Sequence, residues 1–234
     1  MEKERKRKLL WIGVFAIAMA FVEAMIVFYL RRLYYPNNVI FPLNVSMPTQ
    51  ILLFEWVREA STIVMLLSVA IIAGVKAKEK FAYFIYAFAM WDIFYYIWLK
   101  LTIGWPASLM TWDVLFLIPV TWVSPVICPI IVSLTMILGA CLILHYPKKK
   151  FTKSQIYLLI IGGVLVYTSF VLNYSTLFLK KAYVLKFSEK FISNELVTVA
   201  SKYVPTYFNW PLFIAGELII LLTLFLFYKQ WKNL

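Results

Sequence analysis

Runs of twenty or so apolar residues recur along this chain, at residues 9–30, 51–75, 81–101, 126–146, 156–179 and 210–228. Each is long enough to cross a hydrocarbon core of about 30 Å as an α-helix. In lipid, every backbone amide and carbonyl needs an internal partner, so an apolar run of this length is expected to be helical. No segment between the runs is long enough to enclose a core of its own. The sequence therefore predicts an all-α fold, a polytopic membrane helix bundle of about six spans, forming one integral membrane domain over residues 1–234. The first run continues to about Leu30, too long for the apolar region of a cleaved leader, so it is read as an uncleaved first span.

Two segments depart from this pattern. Residues 109–125 carry Pro119 and Pro125, with Pro129 just beyond, and are apolar without being a clean helix. Proline lacks a backbone donor and breaks helices. The expectation is a short helical piece over residues 110–118, a break through residues 121–124, and then the fourth span. Such a re-entrant segment is a candidate pocket wall, because unwound backbone at membrane depth must be covered by protein or water. Between spans five and six, Phe187, Phe191, Ile192, Leu196, Val199 and Tyr203 recur at helical spacing among charged residues, which predicts an amphipathic helix over residues 187–203 lying at the interface.

The net charge of +12 has a membrane explanation. With the N-terminus inside, Lys3, Arg5, Lys6, Arg7, Lys8, the loops at residues 76–80 and 148–153, and Lys229 and Lys232 share one side, fourteen of the twenty-three Lys and Arg. The positive-inside rule makes that side cytoplasmic, so the chain is expected in the plasma or inner membrane with both termini in the cytoplasm. No basic patch interleaved with aromatics stands apart from the spans, which argues against nucleic acid as a partner. Trp11, Trp56, Trp98, Trp105, Trp210 and Trp231 lie near span ends, as interfacial anchors do. Cys128 and Cys141 are separated by about 20 Å along one helix and cannot pair; both read as small buried hydrophobes.

Against this background, six carboxylates lie in or beside apolar spans: Glu23, Glu55, Glu59, Asp92, Asp113 and Glu217. A charge at mid-membrane costs several kcal/mol, so such residues face a bundle interior or a water-filled cavity. At about 1.5 Å per residue, Glu23, Glu59, Asp92 and Glu217 fall about 10–14 Å below the outer surface. They are the expected core of an ion or substrate pocket. Glu55 and Arg58 flank Glu59 on the second span. Asp92, Tyr96 and Lys100 share a face of the third. Asp113 opens the broken segment, and Tyr95, Tyr167, Thr168 and Asn173 add polar groups. Six carboxylates face four nearby cations, Arg31, Arg32, Arg58 and Lys100, a formal surplus of two negative charges. Bound protons, one divalent cation or a cationic substrate would resolve it.

A hard divalent metal suits such a carboxylate set, with Glu23, Glu59, Asp92 and Glu217 as candidate ligands. The single histidine, His145, lies at the cytoplasmic end of the fourth span, so a bis-histidine b-type haem held by this chain alone is excluded. No Cys/His zinc spacing, P-loop or G-x-S-x-G motif occurs. Three readings follow. The first is a cation- or proton-binding or transport protein with the broken segment as part of its gate. The second is an intramembrane enzyme acting on a lipid or isoprenoid substrate. The third is an accessory subunit of a larger membrane complex, with homo-oligomerisation also open and the acids serving as packing links.

Overall fold

The computed structural model describes residues 2–34, 49–184 and 204–230. Six helices dominate: α1 (Glu2–Tyr34), α2 (Thr49–Ala73), α3 (Ala77–Ile103), α4 (Ile127–His145), α5 (Lys153–Val184) and α6 (Trp210–Lys229). All six carry a window long and apolar enough to cross a membrane. They match the expected spans closely, with α1 extended through the basic N-terminal residues. The predicted surface helix at residues 187–203 lies outside the described residues.

The helices alternate in direction. At one end, the Arg5 guanidinium donates to the carbonyl of Leu144 at 2.9 Å, Lys78 donates to the carbonyls of Tyr146 (3.2 Å) and Lys149, and Lys149 donates to that of Tyr228 at 3.1 Å. The basic segments thus tie four helix ends together. Each cation sits at a helix C-terminus, where exposed carbonyls carry partial negative charge. The turn between α2 and α3 is tight. A side chain at Gly74 would meet the backbone nitrogen of Lys80 at 2.6 Å, and Glu79 accepts the amides of Val75 and Lys76 at 3.1 and 3.4 Å.

Packing is carried by small residues as much as by large ones. Ala16, Ala20, Ala70, Ala82, Ala87 and Ala140 are fully buried where α1, α2, α3 and α4 meet. Without a hydrophobic gradient between helix and lipid, close backbone approach supplies the dispersion contacts that hold spans together. The α5–α6 crossing shows the same device. A Cβ at Gly162 would meet the Gly216 carbonyl at 2.9 Å, and one at Gly216 the Gly162 carbonyl at 2.8 Å. The neighbouring Gly163 faces open space. Cys128 is buried as expected, but Cys141 is exposed on the outside of α4, and both thiols are free.

The expected helical piece over residues 110–118 is instead a β-hairpin. Strand β1 (Trp112–Phe116) pairs antiparallel with β2 (Trp122–Pro125), with Trp112 opposite Pro125, Asp113 opposite Ser124, and a register irregularity between Val114 and Phe116. The physical reason lies in composition. Trp112, Val114, Phe116, Trp122 and Val123 are aromatic or β-branched, and Pro119 and Pro125 remove donors that a helix would need. The hairpin connects to α4 through its backbone: Val126 and Ile127 donate their amides to the carbonyls of Thr111 and Leu109 at 3.0 and 2.9 Å. These bonds satisfy orphan donors at the start of α4, which has no side-chain cap. The hairpin reaches well into the bundle. The Phe116 ring stacks on Phe88 at 6.0 Å and lies 6.1 Å from Trp91, and Phe88 is near the middle of α3.

Candidate functional site

The hairpin, α1, α2 and α3 enclose most of the expected acidic layer. Glu23 on α1 is paired with the Arg58 guanidinium of α2 and accepts from the Thr62 hydroxyl at 3.2 Å. Arg58 also reaches Glu55, through Nε at 2.8 Å and Nη2 at 2.7 Å. Arg58 is thus clamped between two carboxylates, one a turn away on its own helix and one across the α1–α2 contact. Glu59 takes a different partner. Its Oε1 and Oε2 accept the backbone amide of Leu117 at 3.1 and 2.9 Å. Leu117 begins the hairpin turn, so its amide has left the strand pairing, and the carboxylate supplies the acceptor.

Asp113 lies on β1 and is nearly inaccessible. It accepts from the Tyr96 hydroxyl at 3.0 Å and faces Arg31 Nη2 at 3.6 Å. Burial pushes its carboxyl up to about 6, against the opposing pull of Arg31 and the Tyr96 bond. Arg31 in turn lies 3.7 Å above the Trp105 ring, a cation–π contact of the kind that favours guanidinium over ammonium. Trp105, expected as an interfacial anchor, is instead buried beneath Arg31. Asp92 accepts from the Ser133 hydroxyl of α4 at 2.8 Å. Tyr95 stands beside Tyr96 on α3, its ring edge-on to that of Tyr96 at 5.1 Å and stacked on Trp91 at 6.2 Å.

Several expected members are elsewhere. Glu217 on α6 accepts from Thr135 of α4 at 2.8 Å. Ser133 and Thr135 are two residues apart, about 200° around the helix, so α4 stands between Glu217 and Asp92. Glu217 is therefore set apart from the other carboxylates, and its Oε1 is buried without a partner among the described residues. Lys100 is exposed, and its ammonium donates to the carbonyls of Gly104 and Pro106 at 3.1 and 2.9 Å. It closes the C-terminus of α3, which ends at Gly104 with φ of 70°, a left-handed conformation glycine adopts without strain. Arg32 is exposed and packs over Phe28 at 5.5 Å. Asn173 donates to the Tyr207 carbonyl, fastening α5 to the segment before α6. Thr168 is spent on its own helix, on the Val164 carbonyl at 2.7 Å, and the Tyr167 ring packs on Trp122 at 4.9 Å.

The charge balance changes accordingly. Around the hairpin the acids fall in two neighbouring groups: Glu23 and Glu55 on Arg58 with Glu59 one residue on, and Asp113 facing Arg31 with Asp92 one turn from Tyr96 on α3; Arg58 and Arg31 are the cations ion-paired to them among the described residues. Five carboxylates against two guanidiniums leave a formal surplus of three negative charges, not two, because Lys100 and Arg32 turn outward and Glu217 stands apart. Glu23, Glu59, Asp92 and Glu217 do not meet as one ligand set. Among the described residues no three His, Cys, Asp or Glu side chains converge as a bound metal would require.

Sequence reasoning did not single out Thr62, Ser133 and Thr135, the hydroxyls that serve Glu23, Asp92 and Glu217. The signal was present, since a hydroxyl inside an apolar span is itself a polar group needing a partner. The use of Glu59 by a backbone amide carried no sequence signal at all. No protein-family model, curated protein or solved structure matches the chain. The class follows from the helices: six of them long and apolar enough to span a bilayer, consistent with a multi-pass membrane protein.

Proposed function

We propose that this chain is a cation- or proton-binding membrane protein, and that binding or transport is centred on the cluster of Glu23, Glu55, Glu59, Asp92 and Asp113 with Arg31, Arg58, Tyr95 and Tyr96. The basic end faces the cytoplasm of the cell membrane, by the positive-inside rule. The hairpin is re-entrant from the opposite face and forms part of the gate. The observation that carries this reading is the surplus of three formal negative charges in a largely buried site. In such a setting the carboxylates cannot all ionise alone, so the site takes up protons or a cation. The dispersed geometry favours protons or a hydrated or organic cation over a tightly chelated metal.

The test is flux into proteoliposomes, read with a pH-sensitive dye and with monovalent and divalent cations in turn. The Glu59→Gln/Asp92→Asn double variant is expected to abolish it. Wild-type flux in that variant ends the proposal. A second reading, an intramembrane enzyme acting on a lipid or isoprenoid headgroup, draws on one feature. Buried donor atoms of Arg31 (Nη1) and Trp91 (Nε1) have no hydrogen-bond acceptor among the described residues, and an oxygen-rich headgroup would supply acceptors. A changed lipid profile on gene deletion, with no flux in liposomes, selects it.

A further inference from the structure

The α1–α2 pair is tight at the acidic end, where Glu23 meets Thr62 and Arg58. Towards the basic end the two helices part, leaving a crevice of about 260 Å³. Its α1 wall is Arg7, Lys8, Trp11 and Ile12; its α2 wall is Val69, Ile72 and Ala73. The floor is apolar and the mouth is basic. The other cations of the first turns point away from the crevice or are spent: Lys6 pairs with Glu2 at 2.9 Å and Arg5 bonds the Leu144 carbonyl, whereas Lys8, at the rim, shares one contact with Glu4 at 3.1 Å on a solvent-facing turn and keeps ammonium donors for a further acceptor. Arg7 has no ion-pair partner among the described residues, and it stands at the rim. Trp11 is 65% exposed and Ile72 85% exposed on either side, and the indole at this level is a headgroup-depth residue.

We propose that this crevice is a binding site for an anionic phospholipid, with one acyl chain between α1 and α2 and the phosphate at Arg7 and Lys8. Charge complementarity selects the occupant. An apolar slot under a cationic rim, at the end where basic loops gather, matches an acidic headgroup above a hydrocarbon chain. The volume is below the roughly 300–1,000 Å³ of a small-molecule pocket, which suits part of one chain rather than a whole soluble ligand. The site is independent of the acidic cluster at the far end of the same helix pair.

The experiment is native mass spectrometry of the full chain released from detergent, with phosphatidylglycerol or phosphatidylcholine of identical acyl chains added. Phosphatidylglycerol is expected to remain bound in preference to phosphatidylcholine. Arg7→Gln/Lys8→Gln should lower its retention about thirtyfold, from the loss of two cations near the phosphate. Lys3→Gln/Lys6→Gln removes the same charge and one equivalent ion pair from the same helix outside the crevice, and should leave retention unchanged. Ala73→Phe keeps every charge but fills the slot, and should reduce both lipids. Equal loss in the Lys3/Lys6 control, equal retention of the two lipids, or no effect of Ala73→Phe would each overturn the site. A dimer that dissociates on Ala73→Phe would give the crevice to a second copy and overturn it likewise.

Discussion

Glu59 offers the sharpest test of how the cluster is built, because its partner is a backbone amide and not a cation. Glu59→Ala deletes the acceptor bonded to the Leu117 amide, at 3.1 and 2.9 Å. A hydrogen bond to a charged group contributes about 1.5–3 kcal/mol, and stranding its donor costs a further 1–3 kcal/mol where water cannot replace the partner. The expected loss is about 3 kcal/mol. Glu59→Gln keeps a side-chain carbonyl in the same place and removes a buried charge, so its loss is about 1 kcal/mol or less. By the scaling for a chain of this size, the alanine variant should unfold on the order of 6–12 °C lower, and the glutamine variant 2–4 °C lower at most. Differential scanning fluorimetry in detergent, read through the intrinsic tryptophans, measures both. The hairpin carries Trp112 and Trp122, so its release should also shift the emission spectrum of the alanine variant alone. Indistinguishable melting points for Glu59→Ala and Glu59→Gln would refute the reasoning, since the amide would then have no need of the carboxylate.

Other expectations rest on neighbouring contacts. Gly162→Ala should lower stability by about 1–3 kcal/mol through overpacking, because its Cβ would meet Ile220 Cγ1 at 2.6 Å and the Gly216 carbonyl at 2.9 Å, whereas Gly163→Ala meets nothing and should be neutral or slightly stabilising; paired thermal melts decide. Arg31→Ala leaves Asp113 buried without its cation and should cost about 3–5 kcal/mol, while Arg31→Lys should recover only part, having lost the planar stack on Trp105; both are read as melting shifts. Glu217→Gln keeps the Thr135 bond and removes an unpartnered buried oxygen charge, so it should be as stable as the parent or more so, and it should leave liposome flux intact. Flux abolished by Glu217→Gln would place that residue in the same pathway as Asp92.

The span pattern was readable because the bilayer imposes a length and a composition that few other environments demand. The helix ends differ from expectation by only a few residues, chiefly where basic residues at 2–8 prolong α1 beyond its apolar run. The acidic residues were partly readable for the same reason: a carboxylate in an apolar run is conspicuous, and Glu23 and Glu55 meet at Arg58 while Asp113 faces Arg31. The hairpin was not readable as a hairpin. Its prolines announced a break, but an apolar run rich in aromatics fits a short helix or a buried strand equally well, and the choice rests on partners that are distant in sequence.

Position along a helix is a property of residue number, and so the sequence alone set which carboxylates lie at comparable levels along the six helices. Direction around a helix axis relative to its neighbours is a property of packing. Only the tertiary structure decided that α4 stands between Glu217 and Asp92, that Lys100 turns to the end of its own helix, and that Glu59 holds a backbone amide of the hairpin turn. The physical reason is that a buried charge or an orphaned amide takes the nearest available partner in three dimensions, and in a helix bundle that partner usually comes from a different element.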